Sequence, residues 1–330
     1  MNPASIVFLS ADDVRRLLTL EECTDAVELA FRLHGEEKTA PPAVLGVHLA
    51  NGSFHVKAGV LPLSTSYFAA KVNANFPENP LRFGLPTIQG LIVLSDAVNG
   101  RPLAVLESSH ITALRTAAAT AVAAKYLARP DSRILTICGC GTQARAQLPA
   151  IARLFRIEAV FAYDADPQRA SDFARDLAPM NIAITPVDDL ADSVRRCDIC
   201  ITCTTSHEPV VGENDARPGT FITALGADNP HKHEIEPALM ARSKIVCDVL
   251  QQCASMGDLH HALEAGILAI SAVHAELGQV VSGRKPGRES PEEIIIFDST
   301  GMALQDIAAS AVVYEKAIRQ HAGTSLKLAV

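Results

Sequence analysis

The chain has 330 residues, enough for two domains that each bury a core. It is 48% hydrophobic and 20% charged, the composition of a soluble globular enzyme. A formal net charge of −8 argues against nucleic acid or an anionic membrane as partner, and no apolar run reaches the roughly 18–20 residues of a membrane span. Met1-Asn-Pro-Ala-Ser5 lacks the basic region and apolar core of a signal peptide, so a cytoplasmic location is expected.

In chain order, residues 11–34 read as an amphipathic helix pair. Ser10 is placed to cap the first helix, with Asp12 and Asp13 in its first turn. Val14, Leu17 and Leu18 form one apolar stripe; Ala26, Val27, Ala30 and Phe31 form another. Pro41-Pro42 ends the pair. Strands are expected at Val44–Leu49 and Ser53–Gly59, joined by the hairpin signal Ala50-Asn-Gly52, and again at Tyr67–Asn73, Pro86–Asp96 and Pro102–Glu107. Lys71 is placed at a strand end, opening the polar loop that runs to Pro80. This part predicts an α+β domain with a mostly antiparallel sheet.

From the alanine-rich helix Thr112–Leu127 the pattern changes. Strands at 134–138, 159–163, 182–186, 198–203, 220–224 and 245–248 alternate with helices, and a last strand, Glu293–Asp298, precedes a helix to about Gln320. Right-handed crossovers between such strands make a parallel doubly wound sheet. The expected organisation is α/β. A substrate-binding and dimerisation domain spans 1–117 and is completed by 305–330, which makes it discontinuous. A Rossmann domain spans 118–304.

The most informative stretch is Ile134-Leu-Thr-Ile-Cys-Gly-Cys-Gly-Thr-Gln-Ala144: an apolar strand, then Gly139-x-Gly141-x-x-Ala144, then a helix. This is the layout of a dinucleotide-binding turn. Gly139 permits the turn, Gly141 lets backbone approach a pyrophosphate at the helix N-terminus, and Ala144 lets helix and strand pack closely. Asp164 ends the next strand, where a carboxylate accepts from ribose hydroxyls and repels a 2′-phosphate. With Asp166 adding negative charge, the expected cofactor is NAD rather than NADP. A redox site also needs cations to hold its substrate and a group to move a proton. Lys71, Arg115 on the alanine-rich helix, and Asp228 beyond a predicted parallel strand are the candidates.

Cys197, Cys200 and Cys203 have metal-like spacing, but they read as a buried strand whose alternation keeps them from converging. Free thiols are expected for all eight cysteines. His231, His233, His260 and His261 have no evident third ligand, and no metal is expected.

Six segments in order carry a resemblance. They are Lys71-x(5)-Pro77-x-Asn79-Pro80, Gly84-Leu-Pro-Thr87, Thr112-Ala-Leu-Arg-Thr116, the glycine turn, Gly226-Ala-Asp-Asn-Pro-His-Lys-His-Glu234 and Phe297-Asp-Ser-Thr-Gly-Met-Ala-Leu-Gln-Asp306. With them the chain resembles the ornithine cyclodeaminase and mu-crystallin family, most closely its archaeal alanine dehydrogenase branch. The resemblance implies that Lys71 contacts the substrate carboxylate or the neighbourhood of the imine carbon, that Arg115 lies between substrate and cofactor with Thr116 beside it, and that Asp228 is the general acid/base. It further implies that Thr142 and Gln143 contact the pyrophosphate and Asp164 the ribose. Thr87, Thr204, Leu225, Lys232 and Ser299 would line the nicotinamide end or substrate pocket, in a homodimer paired through sheets.

The expected activity is an NAD-dependent oxidoreductase acting on the amine or imine of a small amino acid, 2-oxo acid or cyclic imine. The alternative is a cyclodeaminase that uses NAD catalytically. A third, non-enzymatic reading is disfavoured by the joint presence of Lys71, Arg115 and Asp228. One departure stands out: Ala43 or Val44 occupies the place of a family cation. Lys57, two residues from His55 on one strand face, is the candidate replacement, with His55 near the variable end of the substrate. His231 stands where relatives usually carry glycine and is expected to add bulk near the site.

Overall fold

The computed structural model describes residues 5–328. The chain divides into two compact units, with boundaries at Ala118/Ala119 and Gly301/Met302.

The first unit opens with β1 (Ser5–Leu9), α1 (Ala11–Leu17) and α2 (Leu20–Gly35), and continues with β2 (Ala43–Leu49), β3 (Gly52–Pro62), β4 (Ser66–Asn75), α3 (Asn79–Phe83), β5 (Ile88–Asp96) and β6 (Pro102–Glu107). Helix α4 (Ser109–Leu127) contains the first boundary. Both N-terminal helices start in capping boxes, Ser10 with Asp13 and Thr19 with Glu22, each filling orphan amides reciprocally.

The second unit contains β7 (Ile134–Cys138), α5 (Thr142–Ala152), β8 (Ala159–Tyr163), α6 (Pro167–Asp176), β9 (Ala183–Pro186), α7 (Leu190–Arg196), β10 (Ile199–Thr202) and β11 (Phe221–Ala224). After these come α8 (Pro237–Ala241), β12 (Lys244–Cys247), α9 (Leu250–Met256), α10 (Asp258–Glu264), β13 (Ala275–Glu276), α11 (Leu277–Val281) and β14 (Ile295–Asp298). Helix α12 (Ala303–Gln320) and β15 (Thr324–Lys327) return to the first unit.

The first sheet has the order β15-β1-β6-β5-β4-β3-β2, antiparallel except for the β1–β6 pair. Strand alternation gives β3, β4 and β5 two different faces. Lys57, Lys71 and Ile92 are in register on one face, which α12 covers. Leu45, Val56, Val72 and Leu91 are in register on the other, with Val47, Phe54, Val60 and Val93. The second sheet has the order β13-β12-β14-β11-β10-β7-β8-β9 and is parallel throughout. Its strand order turns back between β7 and β10, the switch point at which doubly wound sheets bind ligands. This is the expected doubly wound fold.

Several local expectations are corrected. Lys71 lies within β4 rather than at its end, because the strand continues to Asn75. In the hairpin, Leu49 pairs with Gly52, leaving Ala50-Asn51 as the loop. Gly52 is required for space, since a Cβ there would stand 2.6 Å from the Phe76 ring. Cys197 precedes β10 as the C-cap of α7, so strand alternation does not govern it, and its thiol donates to the Val194 carbonyl at 3.3 Å. All eight cysteines are free. β1, β15, α3 and β13, and the helices α9, α10 and α11, are not among the elements expected from the sequence.

Candidate active site

In the second unit, buried β7 leads into Gly139 at φ +93°, a left-handed conformation that glycine adopts without strain. A Cβ on Gly139 would stand 2.9 Å from the Cys203 carbonyl oxygen, so close packing also demands glycine. Gly141 caps α5 without a side-chain hydrogen bond, and a Cβ there would meet nothing within 4 Å. Ala144 is fully buried, Thr142 is exposed, and Gln143 Oε1 is buried without a hydrogen-bond partner. An uncapped helix N-terminus beside open space and an unsatisfied amide suits a pyrophosphate. Arg145 braces the turn by donating to the Cys140 carbonyl at 2.6 Å, a role the glycine pattern does not announce.

Asp164 follows β8 and accepts from the amides of Cys140 at 2.8 Å and Asp166 at 3.0 Å. Asp166 is the N-cap of α6, accepting from Gln168 N, so its charge serves that helix.

Beyond β10 and β11, Thr204 Oγ1 donates to Glu234 Oε1 at 2.7 Å, and Leu225 N donates to Thr202 O. Asp228 is partly exposed and receives Lys232 Nζ at 2.8 Å; Lys232 itself is buried. Asp228 therefore has a cation of its own on the same loop, four residues on. Ser299 is buried with its hydroxyl donating to Asp248 Oδ2 at 2.9 Å, a structural anchor rather than an open contact. His231 is exposed, so the expected bulk beside Asp228 points to solvent. His233 stacks on His261 with ring centroids 3.9 Å apart, and desolvation lowers its pKa. Among the described residues no three His, Cys, Asp or Glu side chains are grouped to hold a metal.

In the first unit, Lys71 and Arg115 meet on one acid. Lys71 Nζ donates to Asp306 Oδ1 at 2.8 Å, and Arg115 Nε lies 3.2 Å from the same oxygen. Arg115 Nη1 also donates to Gln305 Oε1 at 2.8 Å, so the guanidinium neither snorkels nor stays single among its alanines. Burial drives the Lys71 ammonium down to about 7, against the pull of Asp306. Burial alone would raise the Asp306 carboxyl, but Lys71 and Arg115 outweigh it and hold it below the usual range. Lys57, opposite Lys71 in the sheet, is buried and adds to the same field.

His55 is half-buried and shares a hydrogen bond of 2.9 Å with Ser53 Oγ. Thr116 Oγ1 donates back to Thr112 O, and Thr87 is half-buried at the entry to β5, where its carbonyl accepts from Phe76. Asp306 and Gln305 belong to this cluster without having been singled out by the sequence reading. They sit in a C-terminal motif, and only the fold brings them to Lys71, 235 positions away for Asp306.

A parallel doubly wound sheet with an open glycine turn at its switch point is a Rossmann-type dinucleotide-binding fold. The chain belongs to the ornithine cyclodeaminase/mu-crystallin family, whose pattern matches residues 5–321. It is 39% identical over 321 residues to alanine dehydrogenase of Archaeoglobus fulgidus, covering 97% of this chain and 98% of that one. An archaeal alanine dehydrogenase dimer with bound NAD is similar at TM-score 0.94 and 38% identity, over 98% of this chain and 100% of the other. Thermococcus litoralis Δ1-pyrroline-2-carboxylate reductase, solved with NADH and L-proline, is similar at TM-score 0.92 and 35% identity, over 97% and 99%.

Proposed function

We propose that this protein is an NAD-dependent oxidoreductase that interconverts the amine of a small amino acid with the corresponding imine, alanine dehydrogenase-like or cyclic-imine reductase-like. The observation that carries the reading is the buried cluster of Lys57, Lys71 and Arg115 around one carboxylate, Asp306. Two cations, Lys71 and Arg115, share the single carboxylate of Asp306, and such a pair attracts a second anion, which a substrate carboxylate supplies.

A bound nicotinamide dinucleotide would supply the hydride chemistry, to an imine carbon in one direction and from an amine-bearing carbon in the other. Lys71 and Arg115 grip the carboxylate and fix the reacting carbon. Lys57 supplies the third cation in place of the one that Ala43 or Val44 lacks. Reduction consumes one proton with each hydride, and Asp228 relays it to nitrogen, or moves a proton of water when the imine is hydrolysed to a 2-oxo acid and ammonia. Lys232 orients that carboxylate. Gly139, Gly141, Thr142 and Gln143 would hold the pyrophosphate and Asp164 the ribose, exchanging its hold on backbone amides. Eight free cysteines suit a reducing compartment such as the cytoplasm.

The test is NADH oxidation with pyruvate and other 2-oxo acids plus ammonia, and with cyclic imines. Absorbance is expected to fall stoichiometrically with product. Asp228→Asn is expected to lower kcat by about 10²–10⁴-fold while NADH still binds; full turnover in that variant removes Asp228 from the reaction. Lys57→Ala is expected to raise the KM of the carboxylate substrate by about tenfold, and an unchanged KM removes Lys57 from the site. Ammonia release from ornithine at constant NADH absorbance would instead establish the cyclodeaminase reading. β3 itself, with Ser53, His55 and Lys57, carries no acid for the distal amine of such a substrate, which weighs against it.

A further inference from the structure

We propose that Glu234 is a positioning residue that holds the surface under the nicotinamide half of the dinucleotide. The inference rests on the assignment of the second unit to NAD.

Glu234 is fully buried, yet its carboxylate is matched by four neutral donors. Oε1 accepts from Thr204 N at 2.6 Å and Thr204 Oγ1 at 2.7 Å; Oε2 accepts from Thr202 Oγ1 at 2.7 Å and Gly226 N at 2.7 Å. A buried carboxylate is costly unless its lone pairs are filled, and these four donors fill them. The donors belong to two different stretches, the end of β10 with the residues that follow it and the segment leaving β11. Glu234 therefore pins the carboxyl ends of two adjacent parallel strands to each other. Its own backbone is fixed in turn: Glu234 N and Ile235 N both donate to buried Asp258, at 2.7 and 2.8 Å. The fit is tight, because a Cβ on Gly226 would stand 2.5 Å from the Glu234 carboxyl and 2.4 Å from the Thr204 carbonyl oxygen.

The place of this clamp gives it a function. The strand order turns back between β7 and β10, and the pyrophosphate turn follows β7. A dinucleotide anchored there extends its second nucleoside across the ends of β10 and then β11. Thr204 and the Leu225-Gly226 segment lie at those ends, and Glu234 sets their spacing. The same carboxylate closes the loop from Gly226 to Glu234, within which Lys232 meets Asp228. The adenosine side has separate support: Gly139 N donates to Tyr163 O at 2.9 Å and Cys203 N to Cys138 O at 2.9 Å, which hold the glycine turn without Glu234.

Glu234→Gln tests this at constant size. Either orientation of the amide turns an NH₂ toward a backbone N–H, of Thr204 or of Gly226, which cannot rotate away. Binding is read by the emission of NADH itself, in a chain with no tryptophan to compete, and ADP-ribose affinity is read by its displacement of NADH. E234Q is expected to weaken NADH by about tenfold, the equivalent of a lost charge-assisted hydrogen bond, to hold ADP-ribose within about twofold, and to lower kcat. Equal weakening of both ligands, or no change in either, overturns the proposal. If E234Q does not fold, Thr202→Val deletes one donor, and a selective loss of about threefold for NADH supports the clamp where no selectivity overturns it. A wild-type protein that binds neither ligand overturns the nucleotide assignment itself, and the clamp with it.

Discussion

An ammonium sealed from water loses its hydration, and Lys71 is only 3% exposed. Burial pulls it down to about 7, so near neutral pH its charge depends on Asp306 and on any anion that arrives. The cationic form holds a carboxylate. In the free enzyme kcat/KM is therefore expected to fall as pH rises through about 7, and Lys71→Arg, charged throughout, is expected to lose that limb. Asp306→Asn removes the carboxylate that sustains the charge and is expected to move the limb to lower pH. It should also destabilise the fold by about 3–5 kcal/mol in urea titration, because it leaves buried cations uncompensated. A pH–rate profile that rises through neutrality would make Lys71 a base rather than a clamp. Unfolded lysine titrates higher than native Lys71, so this group adds stability as pH climbs between the two values. The sequence marks Lys71 and Arg115 as basic residues without a bland role, but it carries no sign of how completely they are buried, because their shared acid comes from the far end of the chain.

At the scale of elements, the first sheet has one face covered by α12 and one face left apolar. Leu45, Val47, Leu49, Phe54, Val72, Leu91 and Val93 are all exposed on it, and among the described residues β2 is an edge strand. A contiguous apolar face of this kind on a seven-stranded sheet marks an interface, and a second copy of the chain is the partner we propose for it. Val72→Lys, at the middle of that face, is expected to weaken self-association by about 100-fold in sedimentation while NADH binding persists. A variant that sediments as the wild type does would exclude this face. The strands themselves were legible because alternation and the Ala50-Asn-Gly52 signal are local. β1 and β15 were not, since each is short and gains its ladder from the other end of the chain. α3 is a single turn inside a proline-rich segment, where composition alone reads as loop.

For the whole molecule, the sequence by itself determined the class of fold. Hydrophobic periods, glycine spacing and the alternation of strands with helices are properties of neighbouring residues, and they sufficed for the parallel sheet, the nucleotide turn and the family. Tertiary structure alone decided which charges meet. Asp306 serves Lys71 and Arg115, Lys232 serves Asp228, and Glu234 binds two strand ends together. These pairings govern charge state and orientation, and they depend on burial and on distances between segments that no local pattern encodes. A carboxylate in sequence is only a negative charge; the donors that close around it in the fold decide whether it is a base, a clamp or a cap.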